Sequence, residues 1–96
     1  MRRLYIVTYD ISDPKRLRRV FRILKGYGEH LQLSVFRCDL TASQRLQLAA
    51  KLDQTIEHSE DQVMFVDLGP SDDRSHTILY VGRPGPSSEP RGPKVF

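Results

Sequence analysis

The chain has 96 residues, 39% hydrophobic and 28% charged, which is enough apolar content for one small domain with a modest core and too much for a disordered chain. No apolar run approaches a membrane span, the first residues lack the length and cleavage site of a secretion signal, and the single Cys38 excludes an internal disulfide, so a cytoplasmic protein is expected. The net charge of +3 is uneven: residues 1–50 carry ten Lys and Arg against four Asp and Glu, and residues 51–96 carry five against eight. The basic half points to a polyanion as partner.

Leu4-Tyr5-Ile6-Val7-Thr8-Tyr9 is β-branched and aromatic and predicts a buried strand. It stops at Asp10-Ile11-Ser12-Asp13-Pro14, where Ser12 or Asp13 can cap a helix with Pro14 in its first turn. The helix runs to about Lys25, with Leu17, Val20, Phe21 and Leu24 on one stripe and Gly26 and Gly28 at its end. Residues 31–40 are extended in character. Leu31, Leu33 and Val35 alternate on one parity and Phe36, Cys38 and Leu40 on the other, so a bulge or tight turn lies near Ser34. One kinked strand or a short hairpin both satisfy that pattern.

Thr41 with Gln44 three residues on is a capping box, and Leu48, Ala49, Leu52 and Ile56 form the stripe of a second helix. Residues 62–68 predict a strand, residues 69–73 a loop and residues 77–81 a last short strand. With residues 31–40 split, the order becomes βαββαβ, an α+β ferredoxin-like sandwich with one additional C-terminal strand. The domain is expected over residues 1–82, followed by a Pro/Gly-rich tail over residues 83–96.

Asp10 stands where an apolar strand ends and a helix is about to start, a rim position that suits a functional carboxylate. It also suits an ordinary loop aspartate near a helix N-terminus. One carboxylate serves Mg²⁺ only when water and substrate phosphates complete the shell, or when a two-fold dimer brings a second copy. Asp13 reads as a cap, and Asp72 and Asp73 as solvated loop residues. The first helix carries Lys15, Arg18, Arg22 and Lys25 in a stripe flanked by Arg16 and Arg19, with no acidic residue after Asp13 to neutralise it. That one-signed face favours phosphate binding over simple solvation, and Arg2, Arg3 and Arg37 extend the basic surface. His30, His58 and His76 are scattered, and Cys38 reads as core.

The opening Leu4 to Ile11, the basic helix with Arg19-Val20, the segment Gly28 to Leu40 containing Gln32-Leu33-Ser34-Val35-Phe36, and Glu60-Asp61-Gln62-Val63 together resemble the CRISPR-associated (Cas) protein two family across nearly the whole chain. The resemblance implies a ferredoxin-like homodimer formed by sheet packing, with the last strand added to the partner's sheet. It further implies metal-dependent phosphodiesterase activity on RNA or DNA, with Asp10 as catalytic residue and Mg²⁺ ligand. Members also form the central, duplex-holding dimer of the spacer-acquisition complex, between integrase dimers of the Cas protein one family. Where some members carry an arginine just before the Gln-x-Ser-Val-Phe segment, this chain has His30.

Three readings compete. In the first, Asp10 holds Mg²⁺ while Lys15, Arg16, Arg18, Arg19, Arg22 and Lys25 bind the phosphates of single-stranded RNA or double-stranded DNA. In the second, the protein is a purely structural DNA clamp whose tail docks a partner through Val95 and Phe96. A small-molecule regulatory domain ranks last, because it leaves the basic helix unexplained.

Overall fold

A computed structural model describes residues 1–73 and 75–86. The elements run β1 (Arg2–Asp10), α1 (Pro14–Lys25), β2 (Glu29–Gln32), β3 (Val35–Thr41), α2 (Ala42–Thr55) and β4 (Gln62–Pro70). The strands form one sheet of order β2-β3-β1-β4 with every pair antiparallel. This is the ferredoxin-like βαββαβ arrangement expected from the element order. The first strand of the chain is therefore an inner strand, paired on both sides.

The local signals act where they stand. Asp13, and not Ser12, caps α1: its carboxylate accepts from the Arg16 backbone N–H at 2.9 Å, with Pro14 following as first helical residue. The capping box of α2 is complete, with the Gln44 backbone N–H donating to Thr41 Oγ1 at 3.1 Å and the Thr41 backbone N–H to Gln44 Oε1 at 2.9 Å. Residues 31–40 resolve into a hairpin. The parity switch at Ser34 is the β2–β3 turn, and a register shift between His30 and Gln32 adds a bulge to β2.

Period-two alternation sends Tyr5, Val7 and Tyr9 of β1 and Phe36, Cys38 and Leu40 of β3 to one face. There they meet Val20 and Leu24 of α1 and Leu48 and Leu52 of α2 in one core. Each of these apolar side chains contributes roughly 1.5–3 kcal/mol by leaving water. Leu17, at the edge of the α1 stripe, stays largely exposed.

Among the described residues the opposite face carries no helix. Leu4, Ile6 and Thr8 of β1 point there, with Val66 and Met64 of β4 beside Ile6 and Thr8 on one side and Arg37 and Val35 of β3 on the other. Met64 and Val66 are 49% and 39% exposed.

The short strand expected at residues 77–81 is not formed: among the described residues no ladder reaches it. Its side chains still alternate, His76, Ile78 and Tyr80 half-buried against exposed Thr77, Leu79 and Val81. The pattern of a strand is present, but a strand exists only through a ladder partner, and within one chain the outer edge of β4 does not supply it. Among the described residues no helix is long and apolar enough to cross a membrane.

Candidate functional site

Asp10 is the last residue of β1, exposed, and paired across the sheet with Gln62, the first residue of β4. Among the described residues its carboxylate has no hydrogen-bond or ion-pair partner. The backbone beneath it is held firmly. The Tyr9 N–H donates to Ser34 O at 3.2 Å, and the buried Tyr9 hydroxyl donates to Leu33 O at 3.1 Å. The β2–β3 turn is thus tied to the residue immediately before Asp10, and burial raises the Tyr9 phenol above its ordinary pKa. His30 lies within 3.4 Å of the same Leu33 carbonyl through Nε2, and its ring packs on Phe21 and Phe36 at centroid distances of 5.0 and 4.9 Å. Its place is therefore in a ring cluster behind the turn.

On the other side of Asp10, Asp61 organises the chain. Its side chain is fully buried, and Asp61 is the one buried charged residue among those described. Oδ1 accepts from the Ser12 N–H at 3.1 Å and the Ser12 hydroxyl at 3.3 Å, and Oδ2 accepts from the Glu57 N–H at 2.9 Å. The Arg16 guanidinium completes the set, with Nε at 2.7 Å from Oδ2 and Nη2 at 3.3 Å from Oδ1. The guanidinium and the backbone donors hold the Asp61 carboxyl well below the usual carboxylate range. Arg16 also donates to Glu60 at 3.0 Å.

The structure therefore divides the six cations expected to bind nucleic acid. Lys15, Arg18, Arg19, Arg22 and Lys25 lie exposed along α1. Arg16 does not join them: its side chain is 22% exposed and committed to Asp61 and Glu60. Arg16 stands one turn before the fully buried Val20, so its position on the helix places it against the core edge. Arg2, Arg3 and Arg37 are also engaged, with Asp39, Asp67 and Glu29 respectively. The basic face is thus narrower than the composition implies, a stripe about 15 Å long on one helix.

Asp61, quoted above within Glu60-Asp61-Gln62-Val63, and Ser12, a possible helix cap, carry no site role in the sequence. Their signal is topological: Asp61 precedes the residue that pairs with Asp10, and Ser12 follows Asp10 by two. The burial of Cys38 holds as expected, and it pushes the thiol up to about 11, so the group is inert packing. Val95 and Phe96 lie outside the described residues.

Among the described residues no group of three or more His, Cys, Asp or Glu side chains is placed to hold a metal. One chain offers the single outward carboxylate of Asp10. That donor set cannot cage a cation alone, but it fits a hard divalent ion whose remaining ligands are water, phosphate oxygens or a second copy of the same carboxylate.

The family model described as CRISPR associated protein Cas2 matches residues 1–75. The chain is 44% identical over 79 residues to a CRISPR-associated endoribonuclease Cas2 of Rhodospirillum rubrum, spanning 82% of this chain and 78% of that protein. It is 39% identical over 83 residues to the one of Geobacter sulfurreducens, spanning 86% and 87%. Among solved structures, the hypothetical protein TT1823 of Thermus thermophilus superposes with a TM-score of 0.77 at 30% identity, covering 90% of this chain and 96% of that one. Streptococcus pyogenes Cas2 superposes with a TM-score of 0.65 at 35% identity, covering 69% and 86%.

Proposed function

The chain belongs to the CRISPR-associated protein Cas2 family, and from that premise we propose that it is a metal-dependent nucleic-acid phosphodiesterase that works as a homodimer. The observation that carries this reading is Asp10: an exposed carboxylate without a partner among the described residues, at the end of an inner strand, beside the start of a one-signed basic helix. The relatives named endoribonuclease support RNA as one substrate.

Lys15, Arg18, Arg19, Arg22 and Lys25 bind flanking phosphates and set the strand against the rim without reading bases. Asp10 would hold the Mg²⁺, which when bound polarises a phosphoryl oxygen and lowers the pKa of an attacking water. Tyr9 and the β2–β3 turn keep the Asp10 backbone fixed. Among the described residues no side chain near Asp10 offers itself as a strong general base, so turnover is slow. The sheet face opposite the helices, where Met64 and Val66 are exposed, supports the homodimer, which would bring two copies of Asp10 to one cleft.

A second reading rests on the same basic stripe: a DNA-holding scaffold, partnered with CRISPR integrase subunits, in which Asp10 matters little. Cleavage assays separate the two. Wild type and Asp10→Ala are incubated with single-stranded RNA and duplex DNA in Mg²⁺ or EDTA. Cutting by wild type alone, and only with Mg²⁺, is expected. Cutting that survives EDTA or Asp10→Ala overturns the metal mechanism; no cutting by either protein, with duplex binding intact, leaves the scaffold.

A further inference from the structure

The carboxylate of Asp61 ties the loop that follows Asp10 to the segment that leads into β4. Downstream it accepts from the Ser12 backbone at 3.1 Å, and across the sheet it immediately precedes Gln62, the partner of Asp10. Arg16 closes over both of its oxygens and also reaches Ser12 Oγ at 3.3 Å, so one guanidinium ties the loop after β1 to the loop before β4. Three segments, residues 10–13, the first turn of α1 and residues 57–61, meet at this one buried group.

Stability alone accounts poorly for such a group. A buried ion pair offsets its own desolvation only about evenly, and apolar packing serves stability as well or better. What the pair does supply is geometry, because each donor reaches the carboxylate from a fixed direction.

We propose that Asp61, gripped by Arg16, is a positioning residue for Asp10, holding the rim of β1 where its carboxylate presents to a divalent cation. This inference rests on the reading of Asp10 as the metal ligand. It takes Arg16 out of the phosphate-binding set and gives it a separate task. Partners that orient a metal ligand are typically worth about ten- to one-hundred-fold in metal affinity or activity.

The test compares full-length wild type, Asp10→Ala, Asp61→Asn, Arg16→Lys and, as a purely structural control, Leu52→Val. Three readouts are taken well below every melting temperature: Mn²⁺ affinity by electron paramagnetic resonance without nucleic acid, the Mg²⁺ concentration for half-maximal cleavage, and the melting temperature itself. Asp61→Asn and Arg16→Lys are expected to weaken Mn²⁺ binding about ten-fold or more and to raise the Mg²⁺ midpoint in step. Leu52→Val is expected to lower the melting temperature without moving either metal readout. If Asp61→Asn fails to fold, Arg16→Lys, which keeps the charge and loses the two-nitrogen grip, decides the matter. Wild-type metal readouts in the folded Asp61 and Arg16 variants, with Asp10→Ala losing both, would overturn the positioning role alone. Mn²⁺ binding absent from wild type, or retained in Asp10→Ala, would overturn the reading of Asp10 and this inference with it.

Discussion

At Gly28 the backbone passes β3 so closely that no side chain has room. A Cβ built there would lie 2.5 Å from the Arg37 carbonyl oxygen and 2.5 Å from Cys38 Sγ. Neither can yield cheaply, since one is backbone in a ladder and the other is fully buried. Gly28→Ala should therefore cost about 1–3 kcal/mol, the usual range for overpacking. Urea denaturation checks this; an unchanged midpoint would show that the strand can shift. In the sequence Gly28 reads as a helix terminator, and α1 does end just before it, capped at Gly26. Its tighter constraint is set by a strand that follows it in the chain, which no local pattern reveals. The same limit applies to Asp61. A carboxylate next to Glu60 in a polar stretch looks solvated, because the five hydrogen bonds that converge on it come from Ser12, Arg16 and Glu57, most of them distant in sequence. The place of Asp10 is legible, since a charge ending an apolar run marks the rim of the strand, but position alone favours an ordinary loop aspartate and the metal role comes from the family resemblance.

Helix α1 buries Val20 and Leu24 and leaves five of its six cations outside, the edge proposed to bind phosphates. Replacing Arg18 and Arg22 by Glu should weaken duplex DNA binding. It should also flatten the dependence of log K on log salt by about 0.9 for each phosphate no longer neutralised. Fluorescence anisotropy across a salt series measures this, and an unaltered slope would remove α1 from the interface. Both helices are readable because their caps are local: Asp13-Pro14 for α1 and Thr41 with Gln44 for α2. Strand pairing is not local. The parity switch near Ser34 fits a kinked strand as well as a hairpin, and only the pairing of Glu29 and His30 with Arg37 and Phe36 decides between them. At residues 77–81 the alternation is real, but alternation reports only which side chains share a face. It does not report whether a partner strand is there to receive the backbone.

As a whole, the described residues form a two-layer sandwich, with helices on one face of the sheet and none on the other. Leu4, Ile6, Val35, Met64 and Val66 share that other face with Thr8 and Arg37. A sheet with so apolar a second face gains by burying it against another sheet about 10 Å away. Light scattering coupled to size exclusion should find wild type as a dimer, and the pair Met64→Lys and Val66→Lys should shift it to monomer while leaving the fold intact. A wild type that runs as monomer at micromolar concentration would mean that the face serves another purpose.

The strand order has a further consequence, for how the chain is made. β1 emerges before both of its neighbours yet belongs between them, flanked by β3, which is complete only at Thr41, and β4, which begins at Gln62. Until β4 has left the ribosome, the most apolar strand has one side open to whatever else can pair with it. Both of its ladders span long stretches of sequence, so they form late and slowly. A nascent chain that has emerged as far as residues 55 to 62 would hold both helices over a sheet with an open seam, the state in which it is most vulnerable to aggregation.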